Sequence, residues 1–164
     1  MARVIRPVIA EDAARLCHLQ LEAWRSDYQH SVDPEKWLDD DGFDRDAREV
    51  NMRRLVTDPS TRAFLVAMQD EEIVGFITVG DARDGDRPGE TELSWIYFHP
   101  SAQGTGFALE LAAAALGDRP AYLWVNERNH RALAFYAKLD FVADGARKDT
   151  ETLFDEPEVR LVRG

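Results

Sequence analysis

Apolar and polar positions alternate briefly from Ala2 to Arg6 and then meet Pro7, which predicts a short first strand. Glu11 and Asp12 place acids in the first turn of a helix running to about Tyr28, with Leu16, Leu19, Ala23 and Trp24 on one face. Ser31 to Asp44 is polar, holds Pro34, Gly42 and Asp39-Asp40-Asp41, and reads as a loop with one helical turn around Trp37. Asp46 to Thr57 is a second helix, stopped by Asp58-Pro59. Two strands, Arg62 to Met68 and Ile73 to Val79, flank the turn Gln69 to Glu72, and Asp81 to Gly89 makes a long polar hairpin loop. Leu93 to Phe98 is a further strand, closed by His99-Pro100. A helix over Leu109 to Leu116, a strand over Ala121 to Val125 and a helix opening at Asn129 follow. Val142 and Val159 to Val162 belong to the last two strands. No repeat, linker or low-complexity tract divides the chain, so residues 1–164 read as one domain.

The chemistry concentrates where the Leu93 strand turns into the Leu109 helix. That turn is Gln103-Gly104-Thr105-Gly106-Phe107-Ala108. The first N–H groups of a helix have no partner within it, and with the helix dipole they form a site for a phosphate or pyrophosphate. Glycine lets the backbone itself approach the anion. A Walker A loop would require a lysine that is not here, and a dinucleotide fingerprint would require glycine or alanine where Leu109 stands. The pattern that fits is [Q/R]-x-x-G-x-[G/A], carried by Gln103, Gly106 and Ala108.

A second motif lies downstream. Asn129-His130-Arg131-Ala132-Leu133-Ala134-Phe135-Tyr136-Ala137-Lys138-Leu139-Asp140-Phe141 is similar to N-x-x-A-x-x-x-Y-x-x-x-G-F, with Asn129, Ala132, Tyr136 and Phe141 in place. Together the two motifs resemble the GNAT N-acetyltransferase superfamily, and the order of elements matches across nearly the whole chain. Asp140 departs from the usual glycine, and aspartate tolerates the left-handed conformation that closes such a helix better than most residues. The resemblance implies a mixed α/β single-domain fold: a sheet of about six or seven strands flanked by about four helices, splayed open after the fourth strand. It also implies that acetyl-CoA is the co-substrate, with its pantetheine arm lying in the splay as an extra strand would.

Composition narrows the function further. With 45% hydrophobic and 31% charged residues the chain is an ordinary globular one, and no apolar run approaches a membrane span. A single cysteine, Cys17, excludes an intramolecular disulfide and is expected as buried filler. With no signal-peptide core at the amino terminus, a cytoplasmic location is expected. A net charge of −11 argues against nucleic acid, because counterion release needs a basic surface. Its simplest meaning is solubility; a preference for cationic substrates is the other reading. His18, His30, His99 and His130 have no metal-ligand spacing with Cys17, so no metal is expected.

Individual roles follow from the resemblance. Gln103, Gly104, Thr105, Gly106, Phe107 and Ala108 would cradle the pyrophosphate, Thr105 adding a hydroxyl and Phe107 facing the core. The backbones of Ile96, Tyr97 and Phe98 would meet pantetheine, and an N–H near Ile96 or Tyr97 would stabilise a developing oxyanion. Tyr136 would protonate the departing thiolate, although it also falls on a core-facing stripe with Ala132, Phe135 and Leu139. Asn129 serves either the cofactor or its own helix as N-cap. Glu92 would deprotonate the attacking amine, directly or through water, sharing a face with Ser94, Ile96 and Phe98 if the strand alternates, with Glu90 as rival. Trp24, Asp27, Tyr28 and His30 fall where the family builds its acceptor pocket. The expected reaction is direct transfer of an acetyl group to a primary amine, of a small molecule or a peptide, in a ternary complex. A non-catalytic acyl-CoA sensor and a transferase of longer acyl groups remain as alternatives. The exposed end of such a sheet pairs in relatives, which leaves room for a homodimer.

Overall fold

The computed structural model describes residues 1–28, 45–149 and 156–164. The expected loop Ser31 to Asp44, with His30 and Trp37, lies outside them. The described elements are strand β1 (Arg3–Pro7), helix α1 (Ala13–Tyr28), helix α2 (Arg45–Thr57), β2 (Thr61–Gln69), β3 (Glu72–Asp81), β4 (Thr91–Phe98), α3 (Phe107–Leu116), β5 (Ala121–Asn126), α4 (His130–Ala137), β6 (Val142–Lys148) and β7 (Glu158–Arg163). Short 3₁₀ turns at Ala10–Asp12 and Pro100–Ala102 lead into α1 and follow β4.

The strands form one seven-stranded sheet in the order β1-β2-β3-β4-β5-β7-β6. All neighbours are antiparallel except β4 and β5, which run parallel. That pair is joined only at Thr91↔Ala121 and Glu92↔Tyr122, the two strand beginnings. Past Glu92 the two strands separate, which is the splay the sequence led us to expect.

Two apolar clusters sandwich the sheet. On one face Phe107, Leu111, Ala112, Ala115 and Leu116 of α3 and Tyr136 of α4 pack with Ile77, Val79, Leu93, Phe98, Leu123 and Val125. On the other, Ala13, Leu16, Cys17 and Leu19 of α1 and Met52 of α2 pack with Phe64, Val66 and Phe76. Each fully buried leucine or phenylalanine contributes roughly 1.5–3 kcal/mol. Cys17 is buried with its sulfur 3.6 Å from that of Met52, as filler would be. The entry to α1 is fixed by Asp12, whose carboxylate accepts hydrogen bonds from both terminal nitrogens of Arg6 (2.7 and 2.9 Å) and from the Ile9 N–H (2.9 Å). These bonds outweigh burial and hold the Asp12 carboxyl below the usual aspartate range.

Candidate active site

The strand alternation expected through Ser94 is broken. Between the pairs Thr78↔Trp95 and Val79↔Leu93 one residue of β4 is passed over, which makes Ser94 the extra residue of a β-bulge. Leu93, Ile96 and Phe98 therefore face the α3/α4 side, whereas Trp95 and Tyr97 face α1 and α2. Glu92 falls with the latter pair, so it does not share a face with Ile96 and Phe98.

Glu92 is 4% exposed and accepts two hydrogen bonds from Arg83 (2.8 and 2.6 Å) and one from the Tyr122 hydroxyl (2.9 Å). Burial alone would raise its pKa, but the Arg83 bonds and charge, with Tyr122, hold it below the ordinary glutamate range. A carboxylate with depressed basicity, locked where β4 and β5 are still paired, is a poor proton acceptor. This is a structural position that the Glu92 reading did not foresee. Glu90 is engaged by Arg87.

Beyond the paired residues, the strand edge points into the splay. The His99 N–H bonds Val74 of β3 at 2.8 Å. Counting back along an antiparallel ladder, Tyr97 and Trp95 turn their backbone groups to β3, and Ile96 and Phe98 turn theirs toward β5. Between Ile96 and Tyr97, the N–H that faces the gap is thus that of Ile96. Gly75 on β3 leaves room for the Phe98 ring: a Cβ on it would lie 2.7 Å from that ring.

The glycine turn closes the far end of β4. Gly104 (φ 72°) and Gly106 (φ 81°) are both left-handed, and Gly106 is the N-cap of α3. A side chain built at either would meet nothing within 4 Å, so the outer face of the turn is open. Among the described residues, the N–H groups of Gly104, Thr105, Gly106 and Ala108 make no hydrogen bond. Four amides without a partner among the described residues, on a turn whose outer face is open at both glycines, fit a diphosphate. Phe107 is 1% exposed and packs edge-on to Phe98, as expected. Thr105 departs from expectation, because its hydroxyl already donates to the Ala102 carbonyl at 2.7 Å. Gln103 donates to the Phe98 carbonyl at 3.0 Å and accepts from Arg131.

Helix α4 holds the second motif. The Asn129 carboxamide accepts from the Ala132 N–H at 3.1 Å, which is the N-cap role. Tyr136 is 8% exposed, tilted edge-on to Phe135 (5.3 Å) and Phe141 (6.0 Å), in the cluster that includes Phe98 and borders Ile96. Asp140 is left-handed (φ 64°), and the bonds Phe141 N–H to Tyr136 (3.2 Å) and Asp140 N–H to Ala137 (3.2 Å) complete a Schellman closure.

On the opposite side of the splay, the Trp24 indole donates to the Tyr97 hydroxyl at 2.8 Å and lies under Arg48. Burial raises the Tyr97 phenol pKa, partly opposed by that indole bond. Asp27 is in the last turn of α1 beside them, and the side chain of Tyr28, which ends that helix, lies outside what the structure describes. Tyr97 thus offers its backbone to one region and its side chain to another. Two groups escaped the sequence reading. Arg160, 8% exposed at its side chain, pairs with Asp84, Asp86 and Asp144 and clamps the β3–β4 loop onto β6 and β7. Arg131 stands within the quoted motif, and its one sequence signal was a cation in a helix's first turn, where the dipole disfavours it.

This arrangement belongs to a known class. The Acetyltransferase (GNAT) family model matches residues 14–141, and the chain is a member of that family. It is an acetyltransferase by that membership and by its relatives. Uncharacterized N-acetyltransferases of Mycobacterium bovis and Mycobacterium tuberculosis are 38% identical over 112 residues, 63% of this chain and 67% of each relative. Among solved structures, a PaiA N-acetyltransferase of Thermoplasma acidophilum in complex with coenzyme A aligns over 98% of both chains with a TM-score of 0.74 at 20% identity. A GNAT acetyltransferase of Bacillus cereus aligns over 99% of this chain and 97% of its own, with a TM-score of 0.70 at 16% identity.

Proposed function

We propose that the protein transfers an acetyl group from acetyl-CoA to a primary amine by direct attack in a ternary complex. The observation that carries this reading is the junction of the β4–β5 splay with the open, left-handed Gly104–Gly106 turn. One supplies unpaired strand edge for the amides of pantetheine, and the other supplies free N–H groups for its diphosphate. The crystallised coenzyme A complex of the Thermoplasma relative supports the same assignment. When bound, acetyl-CoA supplies an activated thioester carbonyl.

The chain's own groups do the rest. The amides of Gly104, Thr105, Gly106 and Ala108 hold the diphosphate, and the backbones of Ile96 and Phe98 orient the pantetheine arm. The Ile96 N–H stabilises negative charge on the carbonyl oxygen, a type of interaction worth about 3–4 kcal/mol. As the amine nitrogen bonds to the carbonyl carbon, the carbon–sulfur bond breaks and Tyr136 gives its phenolic proton to the sulfur; the nitrogen releases its second proton to water as it becomes an amide, and the Tyr136 phenolate takes a proton back from water. Before attack the ammonium gives up a proton to water, since Arg83 and Tyr122 occupy Glu92. Glu92 instead fixes the hinge of the splay. Trp24 and Tyr97 border the acceptor, near the end of α1.

The test is calorimetric titration with acetyl-CoA, CoA and NAD, followed by thiol-release assays over a panel of amines. Micromolar binding of the two CoA species, none of NAD, and thiol release that depends on an amine are expected. Absence of CoA binding would leave Gln103 to Ala108 as a turn and nothing more.

A further inference from the structure

Helices α1 and α4 pack on opposite faces of the sheet, yet their side chains meet. Arg131, in the first turn of α4, donates to Asp27, in the last turn of α1, at 2.6 Å, and its other terminal nitrogen donates to Gln103. Contact between opposite faces of a sheet passes round an edge or through a gap. Here it passes at the splay: Gln103 follows the end of β4, Arg131 follows the end of β5, and those ends are the two that separate. The guanidinium therefore bridges the mouth of the cleft and links the diphosphate cradle to the acceptor side.

The two partners are unequal. The Asp27 side chain is 17% exposed and that of Arg131 is 56% exposed, so the carboxylate is the fixed member and the arginine the movable one. Burial raises the Asp27 pKa, and Arg131 offsets only part of that effect. The helix dipole of α4 opposes a cation at this position, so Asp27 and Gln103, not the helix, hold Arg131 where it is.

Building on the acetyl-CoA reading, we propose that Arg131 is a two-position residue that makes acceptor binding depend on cofactor binding. In the free protein it occupies Asp27 and crosses the gap. A diphosphate seated beside Gln103 draws the guanidinium to itself, because a phosphate offers a stronger bidentate partner than one carboxylate oxygen. Asp27 is then left as a mostly buried anion without a cation, and the ammonium form of the acceptor takes that place. The acceptor class this selects is a protonated amine. Without cofactor Arg131 blocks the carboxylate, so unproductive amine binding is suppressed.

Calorimetry with coenzyme A alone tests this, on wild type, Asp27→Asn, Arg131→Gln, Arg131→Lys and the Asp27→Asn/Arg131→Gln pair, each first checked for an unchanged circular dichroism spectrum. Asp27→Asn frees the arginine and is expected to tighten CoA about 5–20-fold, within the usual range of intramolecular coupling. Arg131→Gln is expected to weaken CoA about 10-fold, Arg131→Lys to recover part of that loss, and the double variant to match Arg131→Gln. An unchanged CoA affinity in Asp27→Asn, or a gain that persists without Arg131, overturns the proposal while leaving the acetyl-CoA reading intact. If Asp27→Asn does not fold, wild-type affinity in Arg131→Gln overturns it alone. Failure of wild type itself to bind CoA removes the acetyl-CoA reading, and this inference with it.

Discussion

At the scale of single residues, position decides which carboxylate or phenol can act. Tyr136 borders the same cluster as Ile96 and Phe98, so its loss should be felt in turnover. Tyr136→Phe keeps the ring and its edge contacts with Phe135 and Phe141 but removes the proton donor. We expect kcat to fall about 10²–10⁴-fold with CoA affinity within about twofold of wild type, read by steady-state thiol release and calorimetry. An unchanged kcat would return Tyr136 to packing alone. Glu92 should behave differently. Glu92→Gln removes an ion pair whose Arg83 end is 73% exposed, so solvent screening limits the loss to about 1–2 kcal/mol. The sign with pH follows from the depressed folded pKa. The carboxylate's contribution is fully present above the ordinary glutamate pKa and is lost as pH falls through the lower, folded value. The gap in Tm between wild type and Glu92→Gln should thus be widest near neutral pH and close in strong acid; a gap independent of pH would mean that the charge is irrelevant.

At the scale of elements, the closure of α4 gives the cleanest test. Asp140 is left-handed at φ 64°, where a Cβ is strained and glycine is not. Asp140→Gly should raise stability by about 0.5–1 kcal/mol and Asp140→Val should lower it, both measured by urea denaturation; a destabilised glycine variant would mean that the aspartate side chain earns its place through a contact. That closure was legible in the sequence because a local motif specified it, and so were the β2–β3 hairpin and the glycine turn that leads into α3. The bulge at Ser94 was not legible, because it is a property of pairing with β3 and leaves no periodic trace. It placed Glu92 on the face opposite Ile96 and Phe98, where the expected alternation had not put it. The Arg83–Glu92 and Arg160 networks were hidden for a related reason: Arg83 meets Glu92 across an irregular loop, Asp84 and Asp86 meet Arg160 far along the chain, and no local pattern announces either. The backbone part of the site was readable because glycine spacing reports backbone geometry directly, whereas side-chain partners across the sheet are set only by the finished fold.

At the scale of the whole molecule, an incompletely paired sheet and a strongly acidic chain pull on cofactor binding in opposite directions. Among the described residues, the splay and the glycine turn leave strand edge and four amides without partners, so a ligand that fills both should stabilise the native state as a unit. At CoA about 100-fold above Kd the gain is about 2.7 kcal/mol, which for a domain of this size moves Tm by about 5–10 °C. The charge works against arrival. With a net charge of −11, the protein's field repels the proposed anionic cofactor at long range, and the local N–H donors of the α3 start, with Arg131 beside Gln103, attract it once it is near. Salt screens the first effect over a Debye length of about 10 Å at 0.1 M and touches the second, at hydrogen-bond distance, much less. Stopped-flow measurement of CoA association should therefore show an on-rate that rises between about 0.02 and 0.3 M salt, with the dissociation rate changing less. A rate that falls with salt would mean that a local basic surface, with Arg131 and Arg3 its nearest members, outweighs the field of the whole chain and steers the cofactor in.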